Sequence, residues 1–539
     1  MNVAKTNAIH NPNSALPQMA DAAAEAVRQV DRLVLELRAT VENAATEAES
    51  FDQTERSVLA SVLQIGFQAM ELFVSLQGDG DLGEDVTTRE GETLRRSEEP
   101  APTTLRSIFG THEFNGFTYS RGRNRAIQLR PVSARMSLPQ KRWSYLLQEF
   151  SQMLCVDQAY DQAMTNLGGI LGGRFSVDTT QQINSQVGVA AGEFLDDLPD
   201  PEPGSEAKLL VASADCKGVP LVKEDVAKAA AFETAKKNPG NRRMATVASV
   251  YSVDAHVRTA EEITAALFRE PSDEDPADKP KRPVPKNKNT TAHFPETEDD
   301  GIGGSLPISG IHVAMTWIIG QVIARRRRGQ VLIALMDGQE SLWETMKLHL
   351  EFGTRTVPIL DILHALVYVW EAAGLFEKNE ADRKAFTRAR LLRILRGEVL
   401  GVIRGLRQLG TTRKLAGKSL SDLTRICGYL QKNADRMRYD EYLRRGYPIA
   451  TGVIEGACRH LVKDRMERSG MRWTLEGARS MLNVRAAFQS QHWREFLNWR
   501  MEKETATIHQ HHDLLRDYTP TNLACWPAGC RLHPFWKTK

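Results

Sequence analysis

Cysteine is scarce, with six residues in 539. Cys155, Cys216, Cys427 and Cys458 stand far apart in the chain, which excludes a disulfide framework. No secretory leader is expected either, since the opening MNVAKTNAIHNPNS has no apolar run of signal-peptide length. The most apolar stretches, 308–323 and 357–376, fall short of about 18 uninterrupted apolar residues, and the second holds Asp361, His364 and Glu371. These absences predict a cytoplasmic chain. Neither charge is in excess: 70 Lys+Arg against 68 Asp+Glu leave a net charge of +2. With 41% hydrophobic and 26% charged residues the composition is that of an ordinary globular protein. Its length predicts two to four domains at about 100–200 residues each.

The balanced total conceals an uneven distribution. Residues 1–100 carry eight basic side chains and eighteen acidic ones, whereas 383–418 carry eleven basic and one acidic, Glu398. A locally basic surface attracts polyanions whatever the total charge.

Residues 1–78 read as a helical, dimerising region. Val58, Leu59, Val62, Leu63, Phe67, Met70 and Phe73 recur at three- and four-residue steps, and Asp52 with Glu55 predicts the helix cap. The hairpin packs either on its own chain or on a second copy. Residues 79–104 are polar and punctuated by Gly and Pro, as in a linker. Residues 105–200 form a DNA-binding helical region opening on a basic arm or β-hairpin, YSRGRNRAIQLRP. Its helices, broken at Gly172-Gly173 and reopening at Ser176, suit either a helix-turn-helix or a plain bundle.

After DDLPDPEPGSE the pattern changes. Residues 207–371 alternate short apolar strands with helices, which predicts an α/β sheet. Thr259 and Glu262 predict a capping box. Residues 271–306 read as a solvated, disordered insert. Residues 372–445 are helical throughout, 446–500 return to the core, and 501–539 form a tail. The tail holds His509, His511, His512, Cys525, Cys530 and His533, which suit a loose segment or, more weakly, a zinc site.

Asp215 and Asp337 each close an apolar run, LLVASAD and VLIALMD, and strand ends of an α/β sheet are where ligand sites gather. Glu455 opens a helical stretch in GVIEGACR. Taken singly, each is a turn, cap or helix-dipole residue. Converging, three carboxylates repel unless divalent cations neutralise them, which is the logic of two-metal phosphoryl transfer. Hard oxygen donors favour two Mg²⁺ or Mn²⁺ ions.

The segments ASADCKGVPL, ALMDGQESLW, DILHALVYVWEAA and RGYPIATGVIEGACRHLVKDRMERSGMRW resemble the DDE transposases of bacterial insertion sequences, in particular the ISKra-four family. The resemblance runs from about residue 208 to 499, with a fainter echo over 105–195. It implies an RNase H-like mixed sheet with a helical insertion before the last acid, preceded by N-terminal helical domains. Asp215, Asp337 and Glu455 match the catalytic, metal-binding triad, and Asp361 with His364 matches an Asp-x-x-His signature. Asp361 is either a further metal ligand or a helix-start partner of His364. The implied partners are double-stranded DNA, as terminal repeats and target, and a second copy of the chain. Paired cysteines that relatives often carry ahead of the core are missing from 105–140.

Arg459 and Lys463 follow Glu455 at four-residue steps and read as phosphate ligands or as a solvated row. Arg468, Arg472 and Trp473 suit a stacked, unpaired base, or Trp473 packs in the core. In the insertion, Arg388, Arg393, Arg396, Arg404 and Arg407 interleave with Leu391, Leu395, Leu400 and Ile403, giving helices with one basic face. Two rival readings are an RNase H-like nuclease without strand transfer and a DNA-binding relic without catalysis.

Overall fold

The computed structural model describes residues 16–202, 204–230, 240–271, 281–299, 301, 304–350, 356–468 and 470–520. The chain divides into two units, residues 1–183 with 497–539, and residues 184–496.

In the first unit, helices Leu16–Thr46 and Phe51–Ser75 form the expected hairpin. The second helix is capped not by Asp52 but by Ser50, whose hydroxyl accepts from the Gln53 N–H in a capping box. This helix packs on the antiparallel pair Ala101–Arg106 and Thr111–Gly116. A Cβ on Gly66 would lie 2.4 Å from the Phe109 ring, so glycine there allows the close approach. His112 is buried between Glu71 and Ser107, with Nδ1 2.5 Å from Glu71 Oε1 and Nε2 2.9 Å from Ser107 Oγ. Among the described residues, Phe51–Ser75 is the one helix long and apolar enough to cross a membrane by length and composition. It carries Asp52, Glu55, Arg56 and Glu71.

Two expectations fail here. Residues 79–104 are not a linker, because Asp85–Thr87, Thr93–Arg96 and Ala101–Arg106 are strands. Their polar composition hides a buried apolar side chain, Leu94, which packs with Tyr119, Leu129 and Leu515. Leu515 also corrects the reading of 501–520 as loose, since this stretch supplies core to the first unit. Cys525, Cys530 and His533 lie outside the described residues. The arm at 119–129 is a short antiparallel pair, Tyr119–Ser120 with Ile127–Leu129. Helix Tyr160–Leu171 follows, ending at Gly172 in the left-handed conformation, and helix Val177–Asp196 begins in the first unit and continues into the second.

The second unit is built on a five-stranded mixed sheet. Its strands are β1 (Leu209–Pro220), β2 (Arg242–Val253), β3 (Lys286–His293), β4 (Val331–Met336) and β5 (Thr356–Leu360), in the order β5-β4-β1-β2-β3. β1, β2 and β3 form an antiparallel meander, while β4 pairs parallel with β1 and β5 parallel with β4. This is the mixed α/β architecture expected. The stretch 271–306 is not wholly solvated: it contributes the edge strand β3 and the pair Glu296–Asp299 with Ser305–Ile308. Polar composition misled because the polar groups are satisfied inside. Asn289 Nδ2 donates to Gln321 Oε1 at 2.8 Å, and the Thr290 N–H donates to Ser490 Oγ at 3.0 Å.

Alternation along the strands feeds two cores. Leu210, Ala212 and Ala214 of β1 and Leu332, Ala334 and Met336 of β4 pack on α2 (Gly310–Arg325) and α3 (Glu340–Leu350), which follow α1 (Ala260–Phe268). Leu209, Val211, Ile333 and Leu335 face the other way. They pack with α4 (Ile362–Phe376) and the insertion helices α5 (Glu380–Leu395), α6 (Val399–Thr412) and α7 (Gly417–Lys432). Each fully buried Leu, Ile or Val stabilises the fold by about 1.5–3 kcal/mol relative to exposure. The chain then returns through α8 (Gly452–Ala457), a π-helical turn over Cys458–Lys463, and α9 (Leu475–Gln489).

Candidate acidic metal centre

The register of the sheet brings the aspartates together. Val331 pairs with Leu209 and Ala334 with Ala212, an interval of 122 residues that also separates Asp337 from Asp215. Parallel neighbours lie about 4.8 Å apart, so the shared interval sets Asp337 near Asp215. The next interval does the same, because Met336 pairs with Leu360 and Asp361 follows. Three carboxylates therefore gather at the C-terminal side of three adjacent parallel strands, Asp215 within β1 and Asp337 and Asp361 directly after β4 and β5, close enough that the charges of Asp215 and Asp361 act on Asp337. The β1–β4 ladder ends at Ala212 and Ala334, and from Ser213 onward β1 runs along β2 alone, so the aspartates lie at the C-terminal side of the parallel strands, where ligand sites of α/β sheets gather. Alternation turns Asp215 and Asp337 to the face of Val211 and Leu335, toward the insertion.

Each carboxylate is held by named donors. Asp337 Oδ1 accepts the Gln339 N–H at 2.9 Å, and its carbonyl accepts Trp343 Nε1 at 2.5 Å. Burial pushes the Asp337 carboxyl up, as do the charges of Asp215 and Asp361, while the Gln339 N–H and His364 act in the opposite sense. Asp215 Oδ1 accepts the Cys216 N–H at 2.7 Å, and Oδ2 accepts the Cys458 thiol at 3.2 Å. Burial, then the charge of Asp215, raises the Cys458 thiol, so it stays protonated and donates. Cys216 lies on the opposite face, near Thr246 and Gln339, and burial pushes its thiol up to about 11.

Asp361 is fully buried and caps α4. Its Oδ1 accepts the Leu363 N–H at 3.1 Å and the Thr451 N–H at 3.2 Å; its Oδ2 lies 2.7 Å from His364 Nδ1 and 2.8 Å from Thr451 Oγ1. These four contacts fit the helix-start role. The hydrogen bond to Asp361 raises the His364 imidazole, with the charges of Asp361, Asp337 and Asp215 adding to it against burial. Thr451 Oγ1 also lies 3.3 Å from Glu455 Oε1. Asp361, His364 and Glu455 each offer one ligand atom within 4.8 Å of the others, a cluster that could hold a metal ion. The structure thus brings Asp215 and Asp337 together by register and electrostatics, and groups Glu455 with the Asp-x-x-His pair.

The insertion closes over these acids. A Cβ on Gly338 would lie 2.3 Å from the Tyr429 ring of α7, and Tyr429 stacks on Tyr368 of α4 at 3.7 Å. Thr451, Cys458, Gln339 and Tyr429 carry no signal in the sequence beyond proximity to the acids, because their roles depend on contacts made across the fold.

The basic residues are distributed unevenly. The π-helical turn breaks the four-residue register expected for Arg459 and Lys463; both are exposed, and Arg459 Nε lies 3.6 Å from Asp464 Oδ1. Arg468 Nε donates to the Asp464 carbonyl at 3.1 Å, and Arg472 is exposed. Trp473 is only 7% exposed: its Nε1 donates to the Met466 carbonyl at 3.2 Å and Arg465 covers its ring at 4.8 Å. It is a core residue, not a stacking platform. In the insertion, Arg393 pairs with Glu398 at 2.8 Å, Arg396 with Glu261 of α1, and Arg388 with Glu270. Arg404 and Arg407 are exposed and have no carboxylate partner among the described residues. No protein-family model matches the chain, and no curated protein matches it significantly.

Proposed function

We propose that the protein is a DDE transposase that cleaves DNA at the ends of an insertion sequence and joins the exposed 3′ hydroxyls to target DNA. The observation that carries this reading is that Asp215 and Asp337 lie at the C-terminal side of adjacent parallel strands, near enough for the charge of one to act on the other, with Glu455 entering on a helix after the insertion. A five-stranded mixed sheet interrupted by a helical insertion before Glu455 supports the RNase H-like core that the motifs imply. The donors fit hard divalent cations, since they are carboxylate oxygens and Asp337 is one whose charge its neighbours disfavour. Asp215, Asp337 and Glu455 would hold two Mg²⁺ or Mn²⁺ ions, which supply activation of the attacking oxygen and stabilisation of the leaving oxygen.

The chain's own residues do the rest. Gln339 and Cys458 orient the aspartates, Asp361 anchors α4 and the Thr451 turn, and Thr451 holds Glu455 beside His364. Arg459, Lys463 and Arg472 on the same side of the sequence, with Arg404 and Arg407 of the insertion, are the cations for DNA phosphates. Synapsis of two ends calls for at least two copies of the chain, acting in the cytoplasm on nucleoid DNA.

The test uses the full-length protein, duplexes carrying the inverted repeats that bracket its gene, and Mg²⁺ or Mn²⁺. Cleavage followed by joining is expected. Asp337→Ala and Glu455→Gln should abolish both while end binding persists. Cleavage without joining would favour the nuclease, and end binding without cleavage the relic. Undiminished cleavage by Asp337→Ala would falsify the site.

A further inference from the structure

The geometry points to Cys458 as a positioning residue that fixes the outer oxygen of Asp215, an inference that rests on the two-metal reading above. Asp215 stands three residues beyond Ala212, the last residue of β1 that pairs with β4, so strand pairing on that side does not reach it. Oδ1 is set from within the strand by the Cys216 N–H at 2.7 Å. Oδ2 is set from elsewhere: the thiol that donates to it at 3.2 Å belongs to a residue 243 positions later. That residue lies three beyond Glu455, so the same segment delivers the third acid and orients the first.

The backbone around Cys458 is built for this. α8 ends at Ala457, and the next six residues wind as a π-helical turn instead of continuing as α-helix. Such turns displace the backbone hydrogen-bond ladder and are found at functional sites. Arg485 of α9, almost fully buried, braces the turn: its Nε donates to the Leu461 carbonyl at 2.7 Å and its guanidinium also to that of His460. A buried cation satisfying turn carbonyls is costly to lose. The turn that aims the thiol at Asp215 is therefore fixed. A thiol is a single weak donor, so it takes one lone pair of Oδ2 and leaves the other for ligation. Cys216 cannot replace it, since that side chain lies on the opposite face beside Thr246.

The test compares Mn²⁺ binding to the full-length chain, read by electron paramagnetic resonance, in wild type and three variants. Cys458→Val keeps nearly the volume and removes the donor, Cys458→Ala removes both, and Cys458→Ser keeps a donor. Loss of an outer-shell partner costs about 10–100-fold in metal affinity. Val and Ala should fall by about that factor, while Ser stays close to wild type. A packing role alone predicts the reverse order, with Val like wild type and Ser impaired, and that result overturns the proposal. So do equal affinities in all four proteins, which leave the two-metal reading standing. Wild type that binds no Mn²⁺ removes that reading, and this inference with it.

Discussion

Gly338 shows how little slack the acidic centre has. It follows Asp337 directly, and a Cβ there would meet the Tyr429 ring at 2.3 Å. The ring cannot swing aside freely, because it is stacked on Tyr368 at an interplanar angle of 12°. Gly338→Ala should destabilise the protein by about 1–3 kcal/mol, the usual cost of overpacking, and reduce cleavage by displacing Asp337. Urea denaturation measures the first effect. In a Tyr429→Leu background the same substitution should cost less, since the obstacle has been trimmed. Equal cost in both backgrounds would mean that Tyr429 is not what Gly338 accommodates. Trp473 makes the complementary point about legibility. Beside Arg472 it read equally well as a stacking ring or as core, and its burial under Arg465 decides for core. A side chain's neighbours in sequence do not reveal which way it points.

Elements built on apolar alternation were legible, as with LLVASAD and VLIALMD, where the aspartates end the apolar runs. The helical insertion was legible for the same reason. Even the interval between the two aspartates held the answer, but only the ladder shows that it equals the strand register. β3 was hidden, because three of its four buried positions, Asn289, Thr290 and Thr291 beside Ala292, are polar, and Asn289 and Thr290 are satisfied by partners far along the chain. The last residue of that strand makes a pH prediction. Burial, and secondarily the charge of Arg479 on α9, pull the His293 imidazole down from 6.5 to about 4. Between those values the unfolded chain binds more protons than the folded one, so stability falls as pH falls. The His293 contribution is complete above about pH 6.5 and gone by about pH 4, with a slope of at most about 1.4 kcal/mol per pH unit. Asp196, pushed up to about 6 by burial and then by Glu296, acts with opposite sign: its contribution is greatest below 3.8 and is lost as pH rises through 6. His293→Asn should flatten the acid-side loss measured by urea denaturation across pH 4–7, and Asp196→Asn should steepen it. An unchanged profile in His293→Asn would show that another group controls acid stability.

At the scale of the whole molecule, a net charge of +2 predicts no affinity for DNA. What matters is which cations are already spent on the protein's own carboxylates. Arg393, Arg396 and Arg388 belong to the basic insertion read from the sequence, yet each has an acidic partner at the protein surface. Arg404 and Arg407 have none among the described residues. Exposed pairs contribute little to stability, about 0–1 kcal/mol each, but a paired guanidinium releases fewer counterions from DNA than a free one. Each phosphate contact adds about 0.9 to the slope of log affinity against log salt for duplex DNA. The double variant Arg404→Ala with Arg407→Ala should therefore lower that slope by about 2, measured by fluorescence anisotropy on terminal-repeat duplex over a KCl series. Arg396→Ala, which removes a cation already engaged by Glu261, should change it by less than one contact's worth. A fall of about 0.9 for Arg396→Ala, half that of the double variant, would mean that the ion pairs open on binding, and that the whole insertion, not Arg404 and Arg407 alone, meets the DNA backbone.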